Sequence, residues 1–187
     1  NQNIEGQEFI SFKQDFLIKN KDLELIKIFL EKNRGIVGNQ NLIKFYLDTY
    51  LVKGEEIESC NLFNDLNIIE TDEYIDKFKI YCLIKSEKKE EAQLYLDLKK
   101  EDNFKDKYFE KIFSILMGYA DKEDIKISDK SVLDFHLSRL ASDNFSYVPS
   151  KNTSKLIWKY LSSNNLLERV NDIDLENTEK IKTIEKA

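Results

Sequence analysis

Residues 71–118 read TDEYIDKFKIYCLIKSEKKEEAQLYLDLKKEDNFKDKYFEKIFSILMG, and their apolar spacing is that of three successive helices. Thr71 offers a cap to the first, with Tyr74 at the third helical position in place of a capping-box Glu, and Phe78, Tyr81 and Cys82 follow at helical spacing. Ala92, Tyr95, Leu96 and Leu98 mark the second. Tyr108, Phe109, Ile112, Phe113 and Leu116 mark the third, and Gly118 stands where a left-handed C-terminal residue belongs.

The same rhythm extends in both directions. Upstream, the spacing predicts a first helix whose apolar face is Phe9, Phe12, Phe16 and Leu17, and a second with Leu23, Ile26, Phe29 and Leu30 that ends at Gly35. Asn39 and Asn41 offer caps to a third, with Leu42, Phe45, Tyr46 and Tyr50, closed by Gly54. A fourth runs from about Glu55 to Leu66, with Glu55, Glu56 and Glu58 at the positive end of its dipole. Downstream, Ser128 or Asp129 caps an eighth helix with Val132, Leu133, Leu137 and Leu140. A loop through Pro149 leads to a ninth, near Lys151 to Leu161, carrying Leu156, Ile157, Trp158 and Tyr160, and a tail helix begins near Asp174. Nowhere does the pattern alternate as a strand would.

Helix starts fall near residues 7, 22, 40, 55, 72, 88 and 104, so alternate starts are 32 or 33 residues apart. A helical hairpin recurring at that period is the mark of solenoids built from helix pairs, and short loops force neighbouring helices to run antiparallel. In Tyr74 to Lys100, Glu90-Glu91-Ala92 and Leu96 resemble the start of a second repeat helix in the tetratricopeptide-like superfamily. The resemblance covers residues 7–118 by period. At positions where that family places small residues, only Ala92 fits, and bulky Phe, Tyr, Ile and Leu stand elsewhere. The expected fold is all-α: antiparallel helical hairpins stacked as a short right-handed α-solenoid of nine or ten helices. Residues 1–118 form the repeat region, 119–130 a linker, and 131–187 further helices on the same array, in one continuous domain. What the resemblance implies is a protein-binding scaffold.

Composition narrows the functions. At 187 residues with 41% hydrophobic and 34% charged side chains, the chain is long and apolar enough to bury a core. The mean hydropathy of -0.52 and the lack of a long apolar run exclude a helical membrane span, so no membrane insertion is expected. The net charge of -6 and the scarcity of arginine (Arg34, Arg139 and Arg169) argue against nucleic acid as a partner. One proline and five glycines suit long helices and not a turn-rich β fold.

No residue pattern points to catalysis, and no cofactor or metal is expected. The sole histidine, His136, has Val132, Leu133 and Leu140 on its helical face, which marks a core or edge position. Asp121, Glu123 and Asp124 lack the glycine and the terminal Glu of a calcium loop and read as a solvated loop. Adjacent carboxylates such as Glu55-Glu56 and Glu90-Glu91 diverge on a helix and cannot act as an acid/base pair. Trp158 reads as core. The expected function is a non-enzymatic scaffold that binds a protein or peptide. The alternative is a non-catalytic helical accessory domain of a larger enzyme or envelope protein.

Two sets of residues remain. Tyr74, Lys77, Tyr81 and Lys85 form one stripe of the fifth helix. By the resemblance that stripe looks into the concave groove, where tyrosine area and lysine charge suit an acidic peptide. The competing reading puts both rings in the core with the lysines at its edge. Cys60 and Cys82 lie on apolar faces of the fourth and fifth helices, about one helical turn out of register, and are expected at the interface between them. Two free buried thiols are the expectation, and a disulfide is the alternative. Residue 1 is Asn, and the final helix with Ile181 and Ile184 stops without a cap, so the chain reads as a piece of a longer protein. Localisation stays open, with the bacterial periplasm favoured over the cytoplasm.

Overall fold

A computed structural model describes residues 6–33, 40–66, 68 and 72–167. Among the described residues there are nine helices and no strand: α1 (Gly6–Asn20), α2 (Leu23–Lys32), α3 (Gln40–Lys53), α4 (Glu56–Asp65), α5 (Glu73–Lys85), α6 (Lys89–Glu101), α7 (Lys107–Met117), α8 (Val132–Ala141) and α9 (Lys155–Ser163). The starts of α1, α3, α5 and α7 lie 33 or 34 residues apart, and those of α2, α4 and α6 lie 33 apart. Gly35, Asn39, Thr71 and the tail helix near Asp174 lie outside the described residues.

Short polar side chains set where the helices begin. Asp22, Asp72 and Asp106 are extended N-caps whose carboxylates accept from the backbone N–H of Leu25, Ile75 and Phe109. Ser131 and Ser154 do the same for α8 and α9. Asp72 thus fills the role that the capping-box reading gives to its neighbour Thr71, and Ser131 the one it gives to Ser128 or Asp129. At the other ends, Glu87, Asn103, Gly118 and Asn165 take positive φ after α5, α6, α7 and α9. The residue after each then donates back to the last turn: Lys88 to Leu83, Phe104 to Lys99, Tyr119 to Ser114 and Leu166 to Leu161. Gly118, at φ +80°, is the position where the sequence supplies the residue this geometry favours.

The chain divides into two compact units. The first holds residues up to Tyr50 and Glu56–Phe104, and the second holds Leu51–Glu55 with everything from Lys105. In the first unit α1 lies against α2, while α4 and α6 lie against α5. Its core is built on Phe78, which is fully buried with its ring 5.3 Å from Phe63, 6.0 Å from Tyr81 and 6.4 Å from Tyr74. Ile26, Leu42, Leu47, Ile75, Ile80, Ala92 and Leu96 complete it.

The second unit packs α7 on α8 and α8 on α9. The repeat period groups α7 with the preceding hairpins, but α7 clusters with the helices that follow it. Phe109, Ile112 and Phe113 supply its buried face, and Phe135 sits edge-on to Phe145, Tyr147 and Tyr160 at 4.9–5.6 Å. Residues 119–130 contain no helix, yet they are tied to this unit. Tyr108 donates to the Lys126 carbonyl, Ser128 N–H to Ser138 Oγ, and Lys111 pairs with Glu123 at 3.0 Å. None of the nine helices is long and apolar enough to cross a membrane.

Candidate functional site

The fifth helix was the sequence's candidate for recognition, and its surroundings define what it does. Tyr74 is half-buried and donates to Asp48 of α3 at 2.6 Å. Lys77 is buried and pairs with Glu73 one turn back at 2.8 Å. Tyr81 is buried and donates to Glu56 Oε2 of α4, and the exposed Lys85 reaches the same oxygen at 2.8 Å. On the flank towards α6, Tyr95 and Lys99 both engage the buried Asp76, at 2.7 and 3.1 Å. Lys79 and Lys99 approach the Tyr95 ring, at 4.1 and 5.4 Å from its centroid. The two rings and two ammonium groups of the stripe are therefore held by carboxylates of the chain itself. Tyr81 and Lys77 present little surface to anything else; Lys85 and part of Tyr74 face outward.

The cysteines sit on the same helix pair. Cys60 and Cys82 are buried and joined by a disulfide, with Cα atoms 5.4 Å apart. Of the two outcomes open in the sequence, free thiols or a bond, the structure has the bond. Cys60 lies five residues before the end of α4 and Cys82 nine after the start of α5, so the offset of about one turn persists and the facing helix ends are staggered by that amount. Helix α5 is consequently fixed to α3 through Tyr74, to α4 through Tyr81, Lys85 and Cys82, and to α6 through Asp76.

The second unit holds a buried polar cluster of its own. His136 is fully buried, with Nδ1 2.8 Å from the Tyr160 hydroxyl. Arg139 donates to that hydroxyl at 2.9 Å and to Asn164 Oδ1 at 3.2 Å, and Asn164 donates to the Val52 and Tyr160 carbonyls. Each donor in this cluster meets an acceptor, which is the arrangement of a structural core histidine. Burial pushes the Tyr108 hydroxyl above its ordinary value, against a lowering contribution from its hydrogen bond with Ser138. Burial does the same to Tyr147, and its bond to Asp129 adds to the rise. In the first unit burial and then the Tyr50 hydroxyl, 3.1 Å away, push Tyr46 up much further. Trp158 is only half-buried; Ile157, Tyr160 and Leu161 take the interior positions of α9. Among the described residues no group of three or more His, Cys, Asp or Glu side chains is arranged to hold a metal ion.

The chain matches no family model, no curated protein and no solved structure.

The outward surfaces are where the sequence reading and the structure part. Phe9, Phe12 and Phe16, predicted as the inward face of α1, are 46%, 68% and 56% exposed. Leu17, the fourth residue of that predicted face, is buried, and Gln14 is buried beside it. On α6, Ala92 and Leu96 are buried as their spacing predicts, whereas Leu94 and Leu98 are 61% and 50% exposed. Both helices carry apolar residues on two sides. The signal lay in the sequence: α1 also has Ile10 and Ile18, more apolar residues than one face holds.

Proposed function

We propose that the chain is a helical protein-binding module whose first unit takes a basic, amphipathic peptide on the outer face of α6. The observation that carries this reading is the pair Leu94 and Leu98, one turn apart, exposed, and flanked by Glu90, Glu91, Asp97 and Glu101. Leucines four residues apart form the anchor spacing of helix recognition, and a ring of carboxylates selects a cationic partner and steers its approach. The engaged state of Tyr74, Lys77, Tyr81 and Lys85 moves the docking face from the first helix of this pair to the second. The 33-residue recurrence of helix starts supports antiparallel hairpins stacked as a short right-handed solenoid. A buried disulfide supports residence in an oxidising compartment.

The test is fluorescence anisotropy with a labelled basic amphipathic peptide and a scrambled peptide of equal charge. The amphipathic peptide is expected to bind more tightly, with affinity falling as salt rises. Replacing Leu94→Asp and Leu98→Asp together should weaken it tenfold or more while the circular dichroism stays that of the parent. Equal binding of both peptides, or unchanged binding by the double variant, overturns the assignment.

A further inference from the structure

We propose that the exposed aromatic stripe of α1 is a contact for a second copy of this chain, paired as antiparallel helices. Phe9, Phe12 and Phe16 lie within one outward sector of the 15-residue helix. The opposite side of α1 is already spent on the interior through Gln14 and Leu17. Lys13 lies over the Phe9 ring at 4.3 Å and borders the stripe on one side.

The charges name the occupant. Helix α1 carries Glu8, Lys13, Asp15 and Lys19 among its described residues, so the face as a whole favours neither an acidic nor a basic partner. Glu8 and Lys19 are eleven residues apart, three helical turns, and so fall within about 20° of each other on the same flank. A two-fold axis normal to the helix pair keeps that flank on one side and reverses its direction. With Phe9 opposite the second copy's Phe16, Glu8 of one chain and Lys19 of the other are displaced along the axis by only about 3 Å, within the reach of a lysine. The pairing occurs twice per dimer. A parallel two-fold arrangement would instead carry the two Glu8/Lys19 flanks to opposite sides of the interface, where they could not pair with each other. At about 200 Å² per ring, the exposed fractions of the three phenylalanines amount to roughly 350 Å². That is a little under half of the approximately 800 Å² that each side of a standard interface buries, so the dimer is a reversible one, with Kd on the order of 10–100 μM.

Sedimentation equilibrium from 1 to 500 μM is the experiment, with circular dichroism to verify each variant's fold. The parent chain is expected to pass from monomer to dimer across this range. Phe12→Ser should remain monomeric. Glu8→Lys and Lys19→Glu should each weaken the dimer about threefold to tenfold, since each turns two attractive contacts repulsive. The double variant, in which both signs are exchanged, should recover the parent Kd. A parent chain monomeric at 500 μM overturns the proposal. So does a double variant as weak as, or weaker than, the single ones, which would refute the antiparallel pairing. Binding of the parent chain, but not Phe12→Ser, to phosphatidylcholine vesicles at concentrations where no dimer forms would reassign the stripe to a bilayer surface. The Leu94→Asp/Leu98→Asp variant should dimerise normally, which keeps this result separate from the peptide-binding one.

Discussion

Reducing the Cys60–Cys82 disulfide should destabilise the first unit by about 3 kcal/mol, and the estimate can be made without reference to any packing term. The bond joins residues 22 apart in sequence. Closing a loop of that length removes roughly 11 cal/mol/K of chain entropy from the unfolded state, or about 3 kcal/mol at room temperature. For a chain of this size that corresponds to a fall in Tm of about 6–12 °C. Reduction is a cleaner perturbation than substitution, because Cys60→Ala and Cys82→Ala would add the cost of two small voids beside Phe63 and Phe78. The assay is urea unfolding followed at 222 nm, with and without dithiothreitol, and thiols counted in the unfolded chain under each condition. The reduced protein should show a lower midpoint and a steeper urea dependence, because its unfolded state is freer to expand. Coincident curves, with the thiol count rising from none to two, would refute the argument that the bond acts on the unfolded chain.

Two further outcomes follow from local geometry. Gly118→Ala should cost about 1 kcal/mol in chemical denaturation: an added Cβ meets no atom within 4 Å, so the whole penalty comes from forcing an alanine to φ +80°. Stability should also fall above pH 10, since the fold holds the buried Tyr46 hydroxyl protonated above its ordinary value of 10.0 while the unfolded chain releases that proton. Its contribution is complete below pH 10 and declines by about 1.4 kcal/mol per pH unit above it, and the tyrosinate band near 295 nm should rise together with loss of helix.

The helices were readable because their signals are local. The starts expected near residues 7, 22, 40, 55, 72, 88 and 104 fall within three residues of the observed ones. The polar residues that cap them and the apolar spacing that follows act over four or five positions, which is the range a sequence displays directly. The faces were harder. On α1 the three phenylalanines and Gln14 compete for the interior beside Leu17, and size alone favours the phenylalanines. What decides is the tertiary packing of α1, which includes its contact with α2 and which no local pattern contains. The stripe on α5 posed a different difficulty. Its residues share a face as the periodicity says, but their partners Asp48 and Glu56 arrive from helices 25 or 26 residues earlier. A tyrosine hydroxyl aimed at a distant carboxylate is indistinguishable in sequence from one aimed at a ligand. The disulfide lay at the limit of what spacing allows, since a register error of one turn separates bonding from mere proximity.

The ties that converge on α5 also order the motions of the first unit. Amide hydrogen exchange requires an opening, and the opening of α5 must break contacts to α3, α4 and α6 together, with the covalent link to α4 still limiting how far it moves. Its amides, and those of α4 near Cys60, should therefore be the slowest of this unit to exchange with deuterium. Helix α1 lies against α2 and carries its three phenylalanines outward, so it should open before the helices tied to α5. Exchange would then begin at the aromatic stripe and reach Phe78 last, and protection along α1 would rise with protein concentration to the extent that a second copy covers it.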